Sequence, residues 1–210
     1  MFRLSRIILA CLLALSFCLF ALAVDFEWDW GKQQELTSYS PKLALGSGLS
    51  EADRTALIDA IAMHLKPTMA KEGYSDERIH DVASTTRYKL IDLNGDGKPE
   101  VFASPNTLEA GCDPKSICPL WVLRRTPKGS YAFLLDVPAQ TFTVQPTNTG
   151  GYADIVIQVH GSGFESELTV YRYAMGNYVP SGCYTATWAE MDGENVKKFD
   201  SPRVQPCNSQ

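Results

Sequence analysis

The chain has little of what most catalytic chemistry is built on. Its 210 residues include three histidines, His64, His80 and His160. There is no H-E-x-x-H, no C-x-x-C and no glycine-rich loop to cradle phosphate. Excess positive charge is missing as well, with 19 Lys and Arg against 24 Asp and Glu and a formal net charge of −5. A nucleic-acid partner is therefore not expected, because phosphate binding calls for a basic face. Beyond the first 23 residues no apolar run is long enough to span a bilayer. The whole chain is 45% hydrophobic and 20% charged, the composition of an ordinary globular domain.

Residues 1-23 read as a secretory signal. Arg3 and Arg6 precede an apolar run from Ile7 to Leu22, and Ala21-Leu22-Ala23 supplies the small-residue cleavage site. A lipid-attachment reading at Cys11 fails because that cysteine comes too early and would leave most of the apolar run on the mature protein. Cleavage before Val24 removes two arginines and no acid, so the exported chain is more acidic still. It keeps Cys112, Cys118, Cys183 and Cys207, an even set that predicts two disulfides in a periplasmic protein with no membrane span. Four cysteines allow three pairings. The short Asp-Pro-Lys-Ser-Ile segment favours a local bridge from Cys112 to Cys118, which leaves Cys183 for Cys207.

Residues 24-48, with Phe26, Trp28 and Trp30, show no sustained period and form an N-terminal arm ahead of a body at 49-210. The clearest helix begins at Ser50 as N-cap, with Leu57, Ile61 and Leu65 on one face and Pro67 as its stop. His64 borders that stripe and reads as a packed histidine. A second helical turn starts at Ser75. From Arg87 onward the period is two, in runs such as RYKLID, EVFAS, LWVLRR and DIVIQVH, separated by turns at NGDG, TPKG, NTGG and MGN.

The β-rich region also repeats. Asn94-Gly95-Asp96-Gly97 aligns with Asn148-Thr149-Gly150-Gly151, and Gly129-x-Tyr131 with Gly176-x-Tyr178. The first copy carries an insertion about the size of the Cys112 to Cys118 segment. Each copy would be a four-stranded sheet like a propeller blade, and two blades cannot close a ring. The expected fold is mainly β and antiparallel: an incomplete β-propeller-like body with an N-terminal helix, the helix and arm covering an open edge.

The strongest chemical signal is Asp92-Leu93-Asn94-Gly95-Asp96-Gly97-Lys98-Pro99-Glu100. Oxygen-bearing side chains at positions 1, 3, 5 and 9, with glycine at 6, match the start of a Ca²⁺ loop, since calcium takes six to eight hard oxygen ligands. Asp92, Asn94 and Asp96 would ligate through side chains, Lys98 through its carbonyl, and Glu100 directly or through a water. Position 12 is Ala103, so this is not a complete EF-hand loop. A bare hairpin turn would need no such carboxylates.

The segment YKLIDLNGDGKPEVF resembles the calcium loop of FG-GAP and VCBS-type propeller repeats. Together with CPLWVLRRTPKGSYAFLL, GYADIVIQV and LTVYRYAMGNYVPSGCY, it resembles exported bacterial proteins with one such loop. These include periplasmic immunity proteins that inhibit peptidoglycan hydrolase effectors. The resemblance implies calcium as cofactor, a hydrolase effector as protein partner, and no enzymatic activity. The projections expected to meet that partner are the segment from Pro105 to Pro119 and the loop holding His160, Ser162 and Phe164, with calcium steadying the hairpin that leads into the first. A carbohydrate- or surface-binding β module is the rival reading. A hydrolase with dispersed acids is the third. His160-Gly161-Ser162-Gly163 lacks the frame of a nucleophile elbow and reads as a loop between strands.

Overall fold

The computed structural model describes Gln34–Glu35, residues 48–113 and residues 117–207, all within the compact unit Lys32–Gln210. Residues 1–23, expected to be a signal, the aromatics Phe26, Trp28 and Trp30, and the middle of the Cys112 to Cys118 segment lie outside the described residues.

Ser50 accepts a hydrogen bond from the Asp53 amide and opens α1, Glu51–Lys71. The helix does not stop at Pro67 as the sequence suggested. Pro67 removes one amide donor, and the carbonyl it would have met belongs to Met63, on the exposed side of the helix. The apolar stripe meanwhile continues through Leu57, Ile61 and Leu65 to the fully buried Met69, and that burial favours another turn. Ser75 caps α2, Asp76–Ser84.

Two antiparallel sheets follow. The first is β2 (Arg87–Ile91), β3 (Glu100–Ser104), β4 (Cys118–Arg125) and β5 (Tyr131–Ala139), in that order. The second runs β1-β6-β7-β8-β9-β10, where β1 is Gln34–Glu35, β6 Thr141–Thr149, β7 Tyr152–His160, β8 Glu165–Ala174, β9 Asn177–Asp192 and β10 Asn195–Pro206. The meander β2 to β5 repeats as β6 to β9, where the sequence repeat placed it. The fold is mainly β and antiparallel, an incomplete propeller-like body of two blades, the second sheet curled into a half-barrel.

Alternation along the strands sorts two cores. Val101, Ala103, Trp121 and Leu123 face α1 and α2, whereas Phe102, Leu120 and Val122 face the second sheet. There Phe102 stacks on Phe142 with ring centroids 4.6 Å apart, beside Ile155 and Ile157. The helices cover a face of the first sheet rather than an edge. The edge of the second sheet beside β6 is taken by Gln34–Glu35, paired with Phe142 and Thr141. Among the described residues no helix is long and apolar enough to cross a membrane.

Candidate functional site: an acidic loop at the junction of the two sheets

Between β2 and β3 the acidic segment closes on its own backbone. Asp92 accepts from the amides of Gly95 at 2.8 Å and Gly97 at 2.9 Å. Asn94 Oδ1 accepts from the Asp96 amide at 3.0 Å, and Asp96 Oδ1 from the Lys98 amide at 2.7 Å. Gly95 and Gly97 have φ of 73° and 77°, a left-handed conformation that lets the chain curl this tightly. The amide bonds, that of Gly97 first, hold the Asp92 carboxyl below the usual aspartate range.

Glu100 is different. It is 1% exposed, the first residue of β3, and shares the Phe102 face between the sheets. Its Oε2 accepts from the Leu93 amide at 3.0 Å, closing the loop from position 9 back to position 2. Burial pushes its carboxyl up, and the negative charges of Asp96 and Asp92 push it further. The five expected ligands thus belong to one loop. As the side chains stand, no three His, Cys, Asp or Glu residues among those described gather around a common point.

The loop is tied directly to the other sheet. Ala153 on β7 donates its amide to the Leu93 carbonyl at 2.7 Å, and the Tyr178 hydroxyl donates to the Ala153 carbonyl at 2.8 Å. Tyr152 stacks on Tyr173 at 4.1 Å, and both hydroxyls accept from Arg124 Nη1, at 2.9 and 3.2 Å. Burial raises the Tyr178 hydroxyl pKa strongly, with Glu100 and Asp154 adding to it. In the second copy Asp154 occupies the position of Glu100. It too is buried, and its nearest cation is Arg172 at 3.7 Å. The turn beside it needs glycine, because a Cβ on Gly150 would lie 2.6 Å from the Tyr173 carbonyl oxygen. Arg124, Tyr152 and Tyr173 escaped the sequence reading, and Tyr178 entered it only as a repeat position, since their meeting depends on how the sheets pack. The one available signal was the repeated tyrosine after Gly129 and Gly176.

The expected partner-facing loops lie at the opposite ends of the strands. Pro105 is buried and anchors its segment rather than presenting a surface, and Pro119 is half-buried. Cys112 is bridged to Cys118 and Cys183 to Cys207, the predicted pairing. In the second loop His160 and Ser162 are exposed and Phe164 is half-buried. The Gly161 and Ser162 amides both donate to the Glu165 carbonyl, at 2.9 and 3.0 Å, and the Trp188 amide donates to the Phe164 carbonyl at 2.7 Å. Those bonds make Gly161 to Phe164 a tight turn, with none of the architecture of a nucleophile elbow. His80 is exposed, and His64 packs as expected, its ring stacked on Phe133 at 4.2 Å. No family model matches the chain, and neither a curated protein nor a solved structure is significantly similar to it.

Proposed function

We propose that this is an exported, periplasmic, calcium-stabilised protein that binds a peptidoglycan hydrolase and blocks it. The observation that carries the calcium part is the buried Glu100, which shares its loop with the carboxylates of Asp96 and Asp92 and feels the charge of both. The donor set of Asp92, Asn94, Asp96, Glu100 and the Lys98 carbonyl is all hard oxygen, the chemistry Ca²⁺ prefers. Bound there, calcium would neutralise carboxylates that otherwise repel one another, in a loop hydrogen-bonded to both sheets.

The inhibitor part is supported by the resemblance of the loop segment and by the two disulfides expected of an exported chain. Loops joining hydrogen-bonded strands, one of them stapled by the Cys112–Cys118 bridge, suit steric blocking of a cleft, which requires a fixed shape and no nucleophile. The test is lysis of purified peptidoglycan by each of a panel of exported peptidoglycan hydrolases, with the protein from Val24 onward added. Near-stoichiometric inhibition of at least one of them is expected. Undiminished lysis by every one at tenfold molar excess, or lysis by this protein alone, would refute the reading.

A further inference from the structure

The last two strands of the second sheet outrun the rest of it. Glu165, the first residue of β8, pairs with Thr187, and the Trp188 amide bonds the Phe164 carbonyl. Beyond that point β9 meets β10 alone, through the pairs Ala189 with Lys198, Glu190 with Lys197, Met191 with Val196 and Asp192 with Asn195. Four residues a side make a free ribbon about 13 Å long. Every residue from Met191 to Lys198 is exposed. A two-stranded hairpin alone is marginal in water, and this one is braced at its base. Cys183 is bridged to Cys207, Glu190 accepts from Arg203 Nη1 at 3.0 Å and lies 3.6 Å from Lys197 Nζ, and the Arg203 guanidinium sits 4.0 Å from the centre of the Phe199 ring.

Met191 and Val196 stand directly opposite each other, so their side chains share one face of the ribbon as a single apolar patch. They are 57% and 48% exposed. Just ahead of them Asp192 and Glu194 flank the Gly193 turn, and among the described residues neither carboxylate has an ion-pair partner. The ribbon leaves the body at the end where both expected partner-facing loops lie. Cys118 pairs with Ala139, Thr141 follows two residues later and pairs with Gln158, and the pairs His160 with Ser166 and Ser166 with Ala186 continue that end across to β9. Leu108, in the segment that leads into β4 there, is exposed as well.

The chemistry of the ribbon discriminates among occupants. A second copy of this chain would use the free edge of β10, since unpaired strand edges invite one another. That edge carries Lys197, Lys198, Pro202 and Pro206 and is broken by a bulge between Lys198 and Arg203, devices that disfavour edge pairing. An anionic membrane surface would repel the two acids at the turn. A protein cleft suits both features, because its wall can cover the apolar patch while cationic or N–H groups deeper in meet the carboxylates. An enzyme that binds peptidoglycan needs such groups, as the peptide stems of that polymer carry free carboxylates. We propose that the ribbon from Ala189 to Lys198 enters the substrate cleft of the peptidoglycan hydrolase, with Met191 and Val196 as apolar anchors and Asp192 and Glu194 in place of the substrate's carboxylates. This inference rests on the inhibitor reading and names the element that does the blocking.

The experiment measures binding and inhibition of each hydrolase in the panel by the protein from Val24 onward and by three variants of it. Met191→Ala with Val196→Ala should raise the dissociation constant for the inhibited hydrolase at least about 30-fold, as expected when central anchors are truncated. Asp192→Lys with Glu194→Lys should weaken binding about tenfold, chiefly through slower association at low salt. Met175→Ala, at the exposed turn on the opposite end of β9, should leave it within about twofold. All four forms should melt together, since every substituted side chain is exposed. A hydrolase bound and inhibited equally by the parent and the Met191→Ala, Val196→Ala variant would overturn the ribbon's role and leave the inhibitor reading intact. A parent that binds none of the panel would overturn both. A dimer in sedimentation that the same variant dissociates would overturn the cleft assignment in favour of a second copy.

Discussion

The sharpest test of the acidic loop is the pairing of calcium addition with Glu100→Gln. Without metal the buried carboxylate is held in its protonated form more readily in the folded chain than in the unfolded one, because burial raises its pKa. The folded state then binds the extra proton, so this group's contribution falls as pH rises from the ordinary glutamate range through the raised value. Asp92 has the opposite sign: its lowered pKa contributes stability above the ordinary aspartate range, lost as pH falls through the lowered value. At neutral pH, Glu100→Gln should therefore leave the metal-free protein as stable as the parent or more so. Calcium should reverse the order. Three carboxylates in an incomplete loop suggest a dissociation constant of about 10⁻⁴ to 10⁻³ M, so 10 mM metal, roughly 10 to 100 times that constant, should stabilise by about 1.4 to 2.7 kcal/mol. For a domain of this size the melting temperature should rise by about 3 to 11 °C. Scanning calorimetry with and without calcium, on parent and variant, reads all four states. A parent that gains nothing at 10 mM calcium, or a Glu100→Gln variant that keeps the full gain, would refute the reasoning.

Three further outcomes follow from the packing. Ile61→Ala, at a fully buried position where α1 meets the first sheet, should cost roughly 2 to 5 kcal/mol in urea denaturation. Replacing Cys183 and Cys207 by alanine opens a link spanning 24 residues and should cost about 3 kcal/mol, read in the same way under non-reducing conditions. The Tyr131 hydroxyl, pushed up to about 12 by burial and then by the Asp53 charge, should make stability fall as pH rises from 10 toward 12, a slope that Tyr131→Phe should flatten.

Much of this architecture was legible because its cause is local. Period-two alternation marked the strands, Ser50 and Ser75 marked the helix starts, and the repeated glycines marked equivalent turns of the two sheets. The helix end was misread because a proline's local cost was weighed without Met69, whose burial lies a turn beyond it. The hairpin of β9 and β10 was largely missed for the opposite reason. Most of β10 is exposed on both faces and carries no apolar period, so pairing with β9 holds it rather than burial. The carboxylate of Asp136, 2.9 Å from His64 Nε2, could not be assigned to the helix side, because strict alternation gives the wrong face once Leu134 is inserted as an extra residue of β5. The acidic loop was visible as a spacing, but its contact with Ala153 was not, since that bond joins residues of different sheets.

That bond also changes what calcium would be expected to control. The sequence alone suggested that metal steadies the segment from Pro105 to Pro119. In the fold, β3 separates the loop from that segment by five buried residues, roughly 16 Å of strand. A strand buried along its whole length moves little when one end loosens, whereas the Leu93 carbonyl bonds the second sheet directly. Withdrawing calcium should therefore act first on the junction. Hydrogen exchange can separate the two cases, because each has a diagnostic amide: Ala153 donates to the Leu93 carbonyl at the junction, and Asp113 donates to the Ile117 carbonyl within the segment from Pro105 to Pro119. Chelation should speed exchange at Ala153 by about tenfold or more, corresponding to the roughly 1.4 kcal/mol at the lower end of the calcium contribution, if opening there is what metal opposes. Asp113 should change by less than about twofold in the same sample. Equal acceleration at both amides would mean that calcium acts on global unfolding, and the local coupling of loop to junction would be wrong.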